Sequence, residues 1–358
     1  MTIENINADT IISGSSNADY IDNSSLAGGV SIDAGAGNDT VWNNGSEATI
    51  IAGAGNDSVI NYFEATIGYA DLGDGNDTVL NYSGYNYLVG GDGNDVILNV
   101  GRACYIDGGD GSDLIQSSGR ETTILGGAGS IDSITNLGAY AYIDGGDGID
   151  VIGNSGRGSD IAGGDGNDVI VNTSQGDDVW IEGGAGDDDI YNYAYNVTIA
   201  GVGGDDLINN YGALGVLVGA GEGNDTIVNW VYSSGSTLHG GPGDDVIQLA
   251  GGFEVISYTD GDGNDTVYGS TGKTQTGFDY DEAVISDDGA DLILNVGSGS
   301  VTFKDYFINT ATDQLADIIE PKSVTEIGEF EEEPAFVASK FNKVISAADK
   351  SRHRSSTK

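Results

Sequence analysis

One aspartate recurs through most of this 358-residue chain at a spacing of 18 to 20 residues: Asp39, Asp57, Asp77, Asp95, Asp113, Asp132, Asp150, Asp168, Asp188, Asp206, Asp225, Asp245 and Asp265. Each closes a short glycine-rich segment, as in Gly90-Gly-Asp-Gly-Asn-Asp95, Gly163-Gly-Asp-Gly-Asn-Asp168 and Gly240-Gly-Pro-Gly-Asp-Asp245. A degenerate copy, Gly14 to Asp19, precedes the series. Carboxylates at this spacing, set among glycines whose carbonyls can converge without Cβ clashes, are a donor set of hard oxygens. If successive copies stack at strand spacing, the aspartates form a column of like charges, which a cation between each adjacent pair would turn into coordination.

The charge balance asks for such cations. Acidic residues number 57 against 12 basic ones, for a formal charge of -45. Residues 1–270 carry -38 of it, with only Arg102, Arg120 and Arg157 as basic residues. Calcium takes six to eight oxygens from carboxylates and carbonyls, whereas magnesium dehydrates reluctantly and fits an all-protein cage poorly. The thirteen aspartates, with loop carbonyls such as Gly90, Gly93, Gly108, Gly111, Gly145, Gly148, Gly163, Gly166, Gly183, Gly186, Gly240 and Gly243, are the candidate ligands. They offer up to about twelve Ca²⁺ sites along one edge. Three loops depart from the pattern: Ile131 is inserted before Asp132, Ile149 replaces a polar residue, and Val202 stands where the second glycine belongs. Sites touching Asp132 are expected to be the weakest. The acids at the third loop position (Asp74, Asp92, Asp110, Asp147, Asp165, Asp262) read as solvated surface.

The segment Gly163-Gly-Asp-Gly-Asn-Asp-Val-Ile-Val171 matches G-G-x-G-x-D-x-U-x position for position. Over residues 14–269 the chain resembles the RTX (hemolysin-type) calcium-binding β-roll proteins. That resemblance implies calcium-induced folding, an extracellular or cell-surface location reached without a Sec signal peptide, and a type I secretion ABC transporter as partner. The usual roll carries glycine loops at both turns. Here they occupy one turn only, which implies a single calcium ladder.

The elements that must hold these loops follow from the flanking residues. Two positions after every loop aspartate, from Ile21 to Val267, stands Val or Ile. Two positions before the loops stands a second aliphatic, such as Ile32, Leu88, Ile106, Ile143, Ile181 and Leu238, with Ala70 and Tyr258 departing. Each coil therefore has two short strands with one inward aliphatic apiece. Stacking alone can bury them. The spacing predicts an all-β, right-handed parallel β-roll or β-helix solenoid of about fourteen coils. Four residues after most loop aspartates stands Asn, from Asn23 to Asn229, a column suited to coil-to-coil amide bonds or Asx-turns.

The predicted organisation is a β-roll over 9–269, a C-terminal β capping segment over 270–308, and a linker and tail over 309–358. Strands are expected at Ala283–Ser286, Asp291–Val296 and Ser300–Lys304. An apolar helical face of Val337, Phe341, Val344 and Ala348 could serve secretion or docking.

Other classes of function are poorly served. The acidity excludes nucleic-acid binding, and no apolar run is long enough to span a membrane as a helix. Cys104 is the only cysteine, so disulfides and cysteine zinc sites are excluded. With two histidines, no H-E-x-x-H and no G-x-S-x-G, the chain shows no catalytic constellation. The expectation is a non-enzymatic, calcium-binding structural or adhesive module. The alternative is a calcium-dependent carbohydrate-binding or polysaccharide-active protein. Its glycan would lie along an edge bearing Arg102, Arg120 and Arg157 and aromatics such as Trp42, Tyr62, Phe63, Tyr82, Tyr85, Tyr87, Tyr191, Tyr193, Tyr195, Tyr211, Trp230 and Tyr232. An ice-binding surface would need a regular Thr array, and the third loop position never holds Thr.

Overall fold

The structure is a computed structural model that describes residues 1–24, 28–62, 68–212, 214–230, 235–250, 254–259, 261–269, 275–276, 284–287 and 291–305. The tail from 309 onward, with its helical face, lies outside them. The chain is a parallel β-solenoid of about fourteen coils. After each loop aspartate an exit strand of about four residues leaves the glycine turn, as in Thr40–Asn43, Val96–Asn99 and Val169–Asn172. After the second turn an approach strand leads into the next loop, as in Tyr87–Asp92 and Asp160–Asp165. Exit strands pair only with exit strands in the coils, so Ile97 stands opposite Ile115 in parallel register. Approach strands do likewise, with Leu88 opposite Ile106. The two sheets contain 18 and 15 of the described strands.

Alternation decides what the coil buries. Exit residues such as Ile97, Ile115, Ile152 and Ile190 are wholly inaccessible, as are Ile106, Ile143 and Ile181 from the approach strands. The two ladders meet inside a coil only two strands wide. Burying one such side chain stabilises by roughly 2 kcal/mol, and each coil has a neighbour on either side to bury it against. Ala70 keeps its place in the approach ladder opposite Leu88. Tyr258 does not: Ile256 pairs opposite Leu238 instead. The last coil has two more residues between that aliphatic and its loop aspartate, and Tyr258 turns its hydroxyl onto the Gly263 carbonyl at 2.5 Å.

The exit sheet begins at Thr2–Asn5, which pairs with Tyr20–Asn23. It ends in an antiparallel meander of Val284–Asp287, Leu292–Val296 and Gly299–Phe303. The last of these strands also runs parallel to Asn264–Tyr268, placing Phe303 opposite Val267. Phe303 thereby covers the final rung of the exit ladder, and Lys304 pairs with Asp291 at 2.7 Å. Among the described residues there is no helix, and none long and apolar enough to cross a membrane.

At the second turn the Asn column is a continuous amide ladder. Nδ2 of each donates to Oδ1 of the next at 2.7 to 3.0 Å, from Asn5 to Asn99 and again from Asn136 to Asn229. Asn99 bridges to Ser117 Oγ. The same residues close Asx-turns, as where Asn154 accepts from Gly156 N–H and donates to its carbonyl. Both roles expected of this column are filled at once.

Candidate metal ladder

The thirteen loop aspartates come into one file along the glycine turn, each no more than 3 % exposed. They are linked head to tail. The backbone N–H of each donates to Oδ1 of the aspartate in the following coil, as from Asp95 to Asp113 and from Asp150 to Asp168, both at 2.7 Å. The second oxygen is left over. Oδ2 of Asp39, Asp57, Asp77, Asp95, Asp113, Asp132, Asp150, Asp168, Asp188, Asp206, Asp225 and Asp245 is buried without a hydrogen-bond partner. Asp19 differs, since its Oδ2 accepts from Ser15 N–H at 2.6 Å.

Twelve buried carboxylate oxygens without donors are expensive in an anionic form. Burial, and then the neighbouring aspartates, push these carboxyls up; the single N–H bond to each offsets this only in part. Asp77, Asp132, Asp150, Asp168 and Asp225 rise to about 6. Asp95, Asp188, Asp206 and Asp245 rise to about 7, and Asp265 to about 8.

The first loop glycine shows what faces each free oxygen. A Cβ on Gly163 would lie inside 3.0 Å of both Asp168 Oδ2 and the Gly183 carbonyl of the next coil. The same convergence recurs at Gly90, Gly108, Gly126, Gly145, Gly183 and Gly201. Carboxylate and carbonyl oxygens thus crowd one point in seven consecutive loops, where only glycine fits. In other loops this first position holds Ala34, Ala52, Leu72 or Ala220, each fully buried. Gly240 also holds this position in the Asp245 loop, but its three nearest neighbours are all Asp245 atoms, so the identity of this residue separates the loops only in part. Of the expected carbonyls, those of Gly108, Gly145, Gly163 and Gly183 face Oδ2. Those of Gly93, Gly111, Gly148, Gly166, Gly186 and Gly243 instead press on the fourth-position glycine of the next coil, and that of Gly240 accepts from Gly221 N–H at 2.9 Å.

The donor set tests well against a hard cation and poorly against a soft one. Among the described residues no three His, Cys, Asp or Glu side chains gather at one point. Any metal here must take carbonyl oxygen as well as carboxylate, as calcium does.

The irregular loops keep the register. Asp132 is fully buried and stays in the ladder, accepting from Asp113 and donating to Asp150 at 2.7 Å each. The insertion of Ile131 is absorbed on the outside, where a second ladder is broken. Fifth-position side chains accept from the next coil's N–H in the reverse direction, as from Asn94 to Asn76 and from Asp205 to Asp187. Ile131 and Ile149 have no acceptor, and there Ile149 N–H turns to the Ser130 carbonyl. Val202 holds the glycine conformation at φ 95°. Third-position acids are exposed as expected, except Asp262. That carboxyl is buried because the longer last loop folds it back onto Thr259, which donates through its Oγ1 at 2.8 Å.

Arg102, Arg120 and Arg157 do line one exposed column at the second turn. Arg102 lies over the Tyr85 ring at 5.0 Å, Arg120 over Tyr140 at 5.4 Å, and Arg157 pairs with Asp178 at 3.0 Å. The aromatics do not share a single edge. Tyr193, Tyr211 and Trp230 stack at 4.6 and 5.1 Å beside that turn, and Trp42 leads on to Tyr62 and Tyr82. Tyr87 instead stacks between Tyr69 and Tyr105 on the outer face of the approach sheet, because its strand position points it there. Phe63 and Tyr232 lie outside the described residues.

No family model matches the chain, and no curated protein matches it in sequence. Among solved structures it is similar to the extracellular lipase LipA from Serratia marcescens, at 19% identity and a TM-score of 0.24 over 64% of this chain. The chain spans only 39% of that protein's length, and nothing of the lipase's activity carries over at this similarity.

Proposed function

We propose that the chain is an RTX-type, calcium-dependent β-roll whose aspartate ladder binds Ca²⁺ and whose repeats fold when it does. The observation that carries this reading is the row of twelve buried Oδ2 atoms without donors. Seven of the loops set such an oxygen against a carbonyl from the next coil at a point only glycine leaves open. We place the cations first in the run from Asp95 to Asp206, where glycine holds the first loop position throughout. The loops of Ala34, Ala52, Leu72 and Ala220 would bind more weakly. A bound ion supplies positive charge where the protein has only oxygen; the aspartates and carbonyls hold it, and the glycines keep the space clear. The role is that of an exported structural or adhesive module without enzymatic activity.

The test is a calcium titration followed by far-UV circular dichroism and calorimetry, with magnesium as control and Gly163→Ala as the variant. The φ of Gly163 lies outside the left-handed region, and alanine holds the same loop position at Ala34, Ala52 and Ala220, so the chain can carry it there once the Gly183 carbonyl gives way. Its Cβ takes the place between Asp168 Oδ2 and the Gly183 carbonyl, so calcium stoichiometry should fall by one or two. Full β structure with no calcium uptake by the unaltered chain would overturn the proposal.

Calcium-dependent glycan binding at the second turn is a second reading, supported by the Tyr193–Tyr211–Trp230 stack, a flat apolar platform. Since all three arginines already have partners, unchanged glycan binding by their triple alanine variant would remove them from it.

A further inference from the structure

The outward face of the exit sheet is unlike the rest of this surface. Its two outward columns, between Thr40 and Tyr268, carry a single charged residue, Asp189. The outer face of the approach sheet, built to the same pattern, carries Asp33, Asp71, Asp107, Asp144, Asp160 and Glu182. In a chain of formal charge -45, one sheet face has been kept almost neutral. Apolar side chains share it with Thr, Ser and Gln: Trp42, Leu114 and Val151 are exposed at 36 to 43 %, and Leu80, Leu98 and Val171 are half-buried. Among the described residues no element covers this face.

We infer that this face pairs with the same face of a second copy of the chain. Three features select a copy as the occupant. The face is regular, because each exit strand pairs in parallel register with the next, rung for rung, from Thr40–Asn43 to Asn264–Tyr268. Two such faces can touch along their length, as packed sheets do, with matching strand spacing on both sides. At about 4.8 Å per coil it runs about 60 Å, and at about 13 Å wide it offers about 800 Å² per partner, the size of a stable interface. Finally, two bodies each this acidic repel everywhere else, so the uncharged face is where copies can meet, in an isologous pair.

The experiment is light scattering on sizing and sedimentation velocity of the full chain with saturating calcium, from 1 to about 100 µM. A dimer that dissociates on dilution is expected, tighter at about 0.5 M salt than at about 0.05 M because screening relieves the flanking repulsion. Leu98→Asp/Val171→Asp should weaken it at least tenfold with an unchanged circular dichroism spectrum. Ala162→Asp/Ala200→Asp, on the approach face, should leave it intact. If the first pair loses its β signal, Thr135→Asp/Gln248→Asp takes its place, since both side chains are outward and polar. A monomer at all concentrations, or a dimer indifferent to the exit-face charges, overturns the inference.

Discussion

Without divalent cations, the aspartate ladder should make the solenoid acid-stable and alkali-labile, the reverse of a protein held by ordinary salt bridges. The perturbation is EDTA at a series of pH values. In the fold Asp188 is raised to about 7 and Asp150 to about 6, from 3.8. The folded chain therefore binds more protons than the unfolded chain between about pH 4 and pH 7, and its stability must fall as pH rises through that window. At about 1.4 kcal/mol per pKa unit, ionising Asp188 in the fold costs on the order of 4 kcal/mol and Asp150 about 3. Whole domains are stable by only about 5–15 kcal/mol, so a few such ionisations suffice to unfold the coils around them. Circular dichroism in EDTA should show β structure near pH 5 that is lost by about pH 8. Calcium added at pH 8 should restore it, with a midpoint that rises as pH falls because protons compete for the same oxygens. A spectrum in EDTA that is the same at pH 5 and pH 8 would refute the reasoning, since these carboxyls could not then be desolvated and unpaired.

Asp150→Asn should change sign with conditions. In EDTA it removes a buried charge while keeping an acceptor for Asp132 N–H, moving the loss of β structure to higher pH; with calcium it should lower the urea midpoint and the number of ions bound. Val202→Gly should stabilise by about 1 kcal/mol in thermal or urea unfolding, since it relieves a β-branched residue at φ 95° that is 44 % exposed. Asn154→Ala should cost about 3 kcal/mol or melt the coils around it. It strands the Asn136 amide, the Gly156 N–H and the Asn172 acceptor inside the second turn. Hydrogen exchange would locate the loss between Asn136 and Asn172.

The repeat pattern was enough to define the coil. A period of 18 to 20 residues, one aliphatic per strand and a glycine turn closed by aspartate leave no arrangement except stacking, because no single coil can bury its own pair. It also placed every loop aspartate in one file and Asn23 to Asn229 in another, since periodicity maps directly onto columns in a solenoid. What each column faces depended on how the coils pack in three dimensions. Residue type told nothing of the direction of the N–H bonds that occupy Oδ1 and leave Oδ2 without a donor. Nor did it tell that the first loop position, as at Gly163, faces that oxygen. Tyr87 and Tyr62 fell on different faces for the same reason. Their spacing from the loop aspartate places them on opposite sides of the second turn, and a turn's geometry depends on backbone conformations, such as φ 65° at Tyr85 and φ 52° at Ala103, that those residue types do not announce. Repetition fixes which residues stack; the turns fix where they point.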